Sequence, residues 1–253
     1  MTDADTQLRA LVDDLDAERA VLFGAVATID PDDWFRATAA HGWDIRDAVA
    51  HLADTDEVAI DTMLDGPRAL ARFAATRASS EDVTFTGVLR GRRRSGRAVL
   101  DWCRATTAAQ RDALLTLRPD TRVPWGLGMR APSFVTARLM ETWAHSLDVH
   151  TALGVGLVDT DRLRHVAWIA IRALPYAYSV AGREPPAEPV RFELVAPNGE
   201  LWEFGPPDAA AQVRGSAAHL CRVFVQRRAW TDSDLVAEGD AAISALQVAR
   251  AYL

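Results

Sequence analysis

Residues 138–148 read Arg138-Leu-Met-Glu-Thr-Trp-Ala-His-Ser-Leu-Asp148, and apolar residues continue on both sides of them. A helix drawn through this stretch is apolar nearly all round, which is the pattern of a buried helix. Steps of three and four residues nevertheless align four polar side chains on one face: Arg138, Glu141, His145 and Asp148. Burying such a face costs free energy unless its groups are paired or bind an ion. The stretch therefore predicts a buried helix that carries a polar site.

The spacing alone leaves two interpretations of this polar face open. Glu141 and His145, four residues apart, can hold one cation together, but this loose pattern needs a third ligand from elsewhere. Alternatively, the four side chains form a buried ladder of hydrogen-bonded ion pairs without a metal. Asp148, one turn after His145, either orients the imidazole as a hydrogen-bond acceptor or forms an ordinary salt bridge to an arginine.

The chain as a whole has the composition of a globular protein. Its 253 residues carry a net charge of −7, which argues against binding to the phosphate backbone of nucleic acids. No window approaches the ~18 uninterrupted apolar residues of a membrane span. Cys103 and Cys221 form no CxxC pair and imply no disulfide framework. The start lacks the pattern of a signal peptide, so we expect a cytoplasmic protein with reduced thiols.

Helical periodicity indicates several helices in the first 180 residues. We expect them at about 6–28, 44–65, 86–106, 132–153 and 159–180. The first four favour a four-helix bundle. Asp44 is a good N-cap for the second helix, which ends at the strong stop signal Gly66-Pro67. His51 lies on the flank of that helix's apolar face, where a side chain reaches either a site between helices or water.

Beyond a proline-rich segment at 182–189 the pattern changes to the period of two that indicates strands. Asn198-Gly199 is a hairpin turn signal between two such runs. We expect three strands and two helices there, at 190–195, 201–204, 212–215, 216–228 and 240–253. Strands and helices in so short a segment predict a small α+β domain. The whole chain is therefore expected to be α+β, with domains at 1–182 and 189–253.

Several of these segments resemble the motifs of one known family. Residues 42–52 and 138–148 resemble the second-helix and fourth-helix motifs of the metal-binding DinB-like four-helix bundles. Both are most similar to the mycothiol-dependent maleylpyruvate isomerase branch, although the line around Glu141 and Trp143 looks more like an uncharacterised subgroup. Three later segments resemble that branch's small C-terminal domain, which is similar to sterol-carrier folds: 190–204, 213–217 and 226–228.

The resemblance implies a divalent metal, usually zinc, that is held by His51, Glu141 and His145. Three protein ligands leave one coordination position open, as in catalytic zinc sites. The family's chemistry implies that a small thiol, mycothiol, binds there as the thiolate and attacks a small electrophilic substrate. The outcome would be either isomerisation or S-transfer.

The resemblance also suggests residues around the metal. Trp43 and Arg138 are predicted to contact the cofactor. One of Arg227 and Arg228, at the end of a predicted helix, is predicted to anchor an anionic group of the thiol or substrate near the metal. Simple solvation is the alternative for these two arginines.

Two functions from different classes follow. The first is a metal-dependent and thiol-dependent isomerase or transferase, with its pocket between the bundle and the C-terminal domain. It would act as a monomer or homodimer without nucleic-acid or membrane partners. The second is a non-catalytic binding module, in which the metal is structural and the C-terminal domain carries an apolar ligand or a partner. The intact three-ligand set favours the enzyme.

Overall fold

A computed structural model describes residues 2–69, 71, 80–125 and 128–251 of the chain. The chain divides into two compact units, Met1–Leu157 and Val158–Leu253. The protein is α+β, as predicted. The division lies before the expected linker at 182–189, because the helical residues between 163 and 180 pack with the elements of the second unit.

The first unit contains the predicted bundle. Its helices α1 to α5 span Asp3–Val26, Ile45–Asp65, Ser80–Arg92, Gly96–Leu115 and Ala131–Leu153. The four bundle helices are α1, α2, α4 and α5, with α1 packed on α5 and α2 packed on both α4 and α5. Short elements lie in the connections: a 3-10 helix at Pro31–Phe35 and the antiparallel strands β1, Arg122–Val123, and β2, Met129–Arg130.

The prediction of a single helix at about 86–106 is wrong, because the helix is interrupted at residues 93–95 and the chain forms two helices, α3 and α4. Ser95 is the N-cap of α4, and its hydroxyl accepts a hydrogen bond from the backbone N–H of Ala98. A serine before a new helix is a standard start signal, since its side chain satisfies an amide that the helix leaves unpaired. Half of the segment 68–85, for which a short helix and a loop are predicted, lies outside the described residues, and its last six residues belong to α3, which begins at Ser80 rather than at about 86.

The two helices that carry the polar site begin and end at clear signals. Asp44 caps α2 as predicted, in a capping box in which its carboxylate accepts from the N–H of Asp47 at 2.8 Å. Helix α5 has Pro132 in its first turn, where no amide partner is needed. It ends before Gly154, which takes the left-handed conformation with φ +71° that glycine adopts at low cost. The bounds of both helices therefore follow from local sequence.

The second unit is a small sheet with helices. Its elements are α6 at Leu163–Arg172, α7 at Leu174–Val180, β3 at Val190–Val195, β4 at Leu201–Phe204, β5 at Ala211–Ser216, α8 at Ala217–Phe224, β6 at Val236–Glu238 and α9 at Asp240–Val248. A 3-10 helix at Trp230–Asp232 precedes β6. The strand order is β4-β3-β5-β6, with β3 and β5 parallel and the other pairs antiparallel. The predicted hairpin around Asn198-Gly199 is present as the β3–β4 pair.

Several bounds in this unit differ from the expected ones. The helix expected at 159–180 is divided at Ala173, because Pro175 cannot donate the amide hydrogen bond that a continuous helix needs. Helix α8 ends at Phe224 rather than 228, and Gln226 shortly after it has φ +59°. Helix α9 ends at Val248, and residues 252–253 of the expected helix lie outside the described residues. Strand β6 was not predicted, because its three residues are too few to show the alternation of apolar and polar side chains that indicates a strand.

Among the described residues, no helix is both long enough and apolar enough to cross a bilayer.

Candidate metal centre

His51, Glu141 and His145 lie together inside the first unit. Each offers one ligand atom, and these three atoms all lie within 4.8 Å of one another. Oε2 of Glu141 is 3.6 Å from Nε2 of His51 and 3.8 Å from Nε2 of His145. His51 comes from α2, whereas the other two come from successive turns of α5. The structure thus brings together the three residues that the sequence suggested as ligands.

The environment of this group is largely closed to water. His51 is 6% exposed and His145 is 5% exposed. Glu141 keeps 20% of its side-chain surface exposed. Because water competes less strongly for ions inside a protein, opposite charges attract each other more strongly there than at the surface. The site is therefore suited to hold a small cation.

The protonation states of Glu141 and His51 suit cation binding. Burial raises the pKa of Glu141, but the neighbouring imidazoles of His51 and His145 lower it, and the resulting pKa is about 2. Burial also lowers the pKa of His51, against the opposing influence of Glu141. An ionised carboxylate and a neutral imidazole are the forms that bind a divalent cation.

Asp148 lies behind the imidazole of His145. Its fully buried carboxylate places Oδ2 3.3 Å from Nδ1 of His145. Among the described residues, Nδ1 has no hydrogen bond of acceptable geometry, so this contact is electrostatic as it stands. A carboxylate in this place orients a ligating imidazole and raises its basicity. Asp148 thus faces the imidazole of His145 without a hydrogen bond to Nδ1, and its role in orienting that imidazole stays a prediction.

Trp43 covers the two imidazoles from outside the helices. Its ring stacks on His145, with centroids 5.7 Å apart and an interplanar angle of 19°, and lies 5.0 Å from the ring of His51. Arg92 of α3 holds the segment that carries Trp43, because Nη2 donates to the carbonyl of Gly42 at 3.0 Å and to Asp47 at 2.7 Å. Trp43 thus contacts two candidate ligands, and its contact with a cofactor stays a prediction.

Arg138 lies one turn before Glu141, but its guanidinium has protein partners. Nη2 donates to Oδ1 of Asp56 at 2.9 Å and to the hydroxyl of Thr55 at 3.0 Å. The side chain is 3% exposed. The predicted contact between Arg138 and a cofactor therefore stays a prediction, whereas its pairing with α2 is observed.

Arg227 and Arg228 belong to the second unit, after the end of α8. Nη1 of Arg227 donates to the carbonyl of Val225 at 3.0 Å, and Nη1 of Arg228 donates to the carbonyl of Asp232 at 2.8 Å. These bonds fix the segment that follows the helix. The role of the two arginines in anchoring an anion stays a prediction.

Sequence reasoning missed Asp56, whose buried carboxylate binds Arg138. A signal for it exists, since Asp56 interrupts the apolar face that Leu52 and Ala59 form on α2. A carboxylate at such a position must have partners, because burying an unpaired charge costs roughly several kcal/mol of folding free energy. Periodicity shows that partners exist but cannot name them.

Comparisons with known proteins add the family context. Residues 15–150 match the family model described as the mycothiol maleylpyruvate isomerase N-terminal domain. Two uncharacterized proteins of Mycobacterium tuberculosis, from strains CDC 1551 / Oshkosh and ATCC 25618 / H37Rv, are 39% identical to the chain over 249 residues. The aligned region covers 97% of this chain and 93% of each relative.

Two solved structures share the fold. They are crystal structures of the mycothiol-dependent maleylpyruvate isomerase and of a histidine-to-alanine mutant of it, both with a TM-score of 0.61. The similarity covers 94% of this chain and 96% of those chains, at 18% and 17% identity. At this level of identity, the likeness shows a common fold.

Proposed function

Because the chain belongs to the mycothiol maleylpyruvate isomerase N-terminal domain family, we propose that it is a metal-dependent enzyme with mycothiol as its cosubstrate. The thiol would attack a small electrophilic substrate in an isomerisation or an S-transfer. The observation that carries this proposal is the convergence of His51, Glu141 and His145 at one buried point.

The residues present fit a divalent cation, above all zinc. Nε2 of His51, Oε2 of Glu141 and Nε2 of His145 would hold it, and two imidazoles with one carboxylate are a donor set of catalytic zinc enzymes. Donors of a tetrahedral zinc lie roughly 3.3 Å apart when the bonds are about 2.0–2.1 Å long. The distances of 3.6 Å and 3.8 Å from Glu141 to the two imidazoles are within about half an ångström of that value.

The residues around the site would act on a thiol in defined ways. A divalent cation held by these residues would lower the pKa of a nearby thiol and so supply a thiolate at neutral pH. One carboxylate and two neutral imidazoles leave a doubly charged cation with a net positive charge, which favours an anionic sulfur. Trp43 shields the faces of both imidazoles from water and thereby strengthens these electrostatic interactions.

The chain's own cysteines do not supply the nucleophile. Cys103 and Cys221 are buried, and neither belongs to the group of His51, Glu141 and His145. Burial raises the pKa of Cys103 to about 12 and also raises the pKa of Cys221. Both thiols are therefore protonated at neutral pH and poorly nucleophilic. This supports an external thiol as the reacting group.

Two reactions suit a thiolate in this place. In an isomerisation, the sulfur adds to an activated double bond, and the π electrons move to the electron-withdrawing group. The resulting single bond rotates, the C–S bond breaks, and the electron pair returns to sulfur. In an S-transfer, the sulfur displaces a leaving group that departs with its electron pair, and the thiol proton goes to solvent. The first reaction regenerates the thiol, whereas the second consumes it.

Further parts of the proposal concern binding and location. Trp43, Arg227 and Arg228 are proposed to contact the thiol or the substrate, through an aromatic face and through bidentate guanidinium contacts to carboxylates. The guanidinium of Arg138 already binds Asp56 and Thr55, so its predicted contact with a cofactor is not part of this proposal. The chain would work in the cytoplasm, where thiols stay reduced.

The test combines metal analysis with a thiol balance. The purified protein is loaded with zinc and incubated with mycothiol and, in turn, maleylpyruvate, an epoxide and an alkyl halide. Turnover with the thiol unchanged identifies an isomerase, and loss of one thiol per product identifies a transferase. If metal-loaded protein turns over none of these substrates and does not bind mycothiol, the enzyme proposal is wrong, and a binding module becomes the better account.

A further inference from the structure

The carboxylate of Asp56 is a point where all four bundle helices meet. Asp56 is in α2 and is 3% exposed. It accepts hydrogen bonds from Arg19 of α1 at 3.1 Å, from Gln110 of α4 at 2.8 Å and from Arg138 of α5 at 2.9 Å. We call these four residues the Asp56 node. Polar side chains from the other three bundle helices therefore converge on the buried carboxylate of Asp56.

Stability alone does not explain the node. Taking charged groups out of water costs so much that apolar residues of similar volume often stabilise a core equally well or better. The node also leaves Nε of Arg19 buried without a hydrogen bond among the described residues. A hydrogen-bonded network also selects one arrangement of the helices. Packed apolar side chains allow one helix to shift along another, whereas the hydrogen bonds form only at one relative position of the helices.

The node is linked directly to the candidate metal ligands. Arg138 precedes Glu141 by one turn of α5. On the other helix, Nη2 of Arg138 donates to the hydroxyl of Thr55 at 3.0 Å, and that hydroxyl donates to the carbonyl of His51 at 2.8 Å. Two hydrogen bonds therefore join the α5 helix, close to Glu141, to the backbone of His51.

We propose that Asp56 and Arg138 are positioning residues that set the register of α2 against α5 and thereby bring His51 to Glu141 and His145. The inference rests on the proposed metal site. A shift of α2 by one residue moves a side chain about 1.5 Å along the axis and turns it by about 100°. A zinc site tolerates deviations of only about 0.2 Å in its bond lengths. Even a small slip between the two helices would separate the ligands.

The main test replaces the charged node by apolar residues. The variant Arg19→Met/Asp56→Leu/Arg138→Met should melt, in its metal-free form, at or above the wild-type temperature. Its zinc affinity should nevertheless fall roughly 10- to 100-fold. In a crystal structure of the metal-free variant, the distance from Nε2 of His51 to Oε2 of Glu141 should exceed the present 3.6 Å. The control Arg97→Met, at an exposed arginine paired with Asp101, should change neither zinc affinity nor this distance.

A second comparison keeps the proposal testable if the triple variant does not fold. Arg138→Lys keeps the charge but lacks the Nε–H that Arg138 donates to Oδ1 of Asp56 at 3.2 Å, and its ammonium ends one bond short of the position of Nη2. It is compared with Val12→Ala, a buried apolar truncation in α1, at temperatures where both metal-free proteins are equally stable. Arg138→Lys should bind zinc more weakly than Val12→Ala.

Equal zinc affinities and an unchanged distance between His51 and Glu141 would overturn the positioning role. Zinc binding by the wild type tests the proposed function instead. If the wild type binds no zinc, that function fails, and the crystallographic distance in the variants still decides whether the node sets the register.

Discussion

Trp43 and His145 stack with their ring centroids 5.7 Å apart and only 19° between their planes. The tryptophan comes from the segment before α2, and the histidine comes from α5. Their contact covers one side of the group formed by His51, Glu141 and His145. The segment that carries Trp43 is in turn fixed by Arg92, so the aromatic cover is part of the folded bundle rather than a loose loop.

Removing the ring of Trp43 should weaken zinc binding at the candidate metal centre. Trp43→Ala is expected to weaken zinc binding roughly tenfold, because both imidazoles gain freedom to rotate and water reaches them. Trp43→Phe keeps an aromatic ring in place and should lose much less. Competition with a chromophoric chelator measures both affinities. Equal affinities for wild type and Trp43→Ala would show that the ring has no part in holding the imidazoles.

Removing a ligand should abolish metal binding. The protein is expected to hold about one zinc per chain, and His145→Ala should hold almost none, because two ligands are too few to compete with water. Elemental analysis after dialysis measures the content. The matched control is His150→Ala, since His150 is also buried in α5 but bonds to the carbonyl of Ser146 at 2.7 Å. Full zinc content in His145→Ala would remove that residue from the ligand set.

Removing the negative charge beside His145 should weaken zinc binding, but less than removing His145 itself. Asp148→Asn keeps the size of the side chain but lacks the carboxylate that faces Nδ1 of His145. We expect zinc affinity to fall roughly 10- to 100-fold, with zinc still bound at high concentration. The same chelator competition tests this. An unchanged affinity would mean that Asp148 supports the helix and not the imidazole.

The two cysteines should be inert in the folded protein. Both are buried, and burial raises the pKa of Cys103 to about 12, so hardly any thiolate exists at pH 8. A disulfide reagent that releases a coloured thiolate should react with neither cysteine in native protein and with both in denaturant. Cys103→Ser should keep thiol-dependent turnover if the protein folds. Fast labelling of native Cys103 would contradict the assignment of the nucleophile to an external thiol.

The approach of α3 to α2 should be sensitive to a single methyl group. A Cβ at Gly91 would lie 2.3 Å from Cβ of Ala50, the residue before His51. Gly91→Ala should therefore lower the free energy of unfolding by about 1–3 kcal/mol through overpacking. The control is Gly24→Ala in α1, where nothing lies within 4 Å of the new Cβ. That change should raise stability by about 0.5–1 kcal/mol, since alanine favours a helix more than glycine does. Denaturant titration distinguishes the two outcomes.

The sequence predicts the helix that carries the site better than it predicts the site. The polar face of α5 is visible from spacing, because Glu141 and His145 belong to one element. His51 is a lone histidine on the flank of another helix, and only the family resemblance suggests its partnership with α5. The spacing of residues within one helix is fixed by its geometry, whereas the pairing of two helices depends on the whole core.

The failure to predict the partners of Asp56 has the same physical origin. Asp56 is recognisable as a carboxylate on an apolar face, but its partners Arg19 and Arg138 lie 37 and 82 residues away in the chain. No local pattern identifies contacts at such separations. The break between α3 and α4 is different, since Ser95 is a local start signal that competes with a continuous apolar face.

The origin of the candidate ligands in two distant helices also implies an order of events during synthesis of the chain. A ribosome that adds about 5–20 residues per second needs roughly 5–20 seconds to proceed from His51 to His145. During that interval the emerging chain offers a cation only one of the three side chains of the site. The three candidate ligands could therefore hold an ion together only after α5 has left the ribosome and joined the bundle. Under the proposed function, zinc would therefore enter a chain that has already been made rather than one that is still on the ribosome.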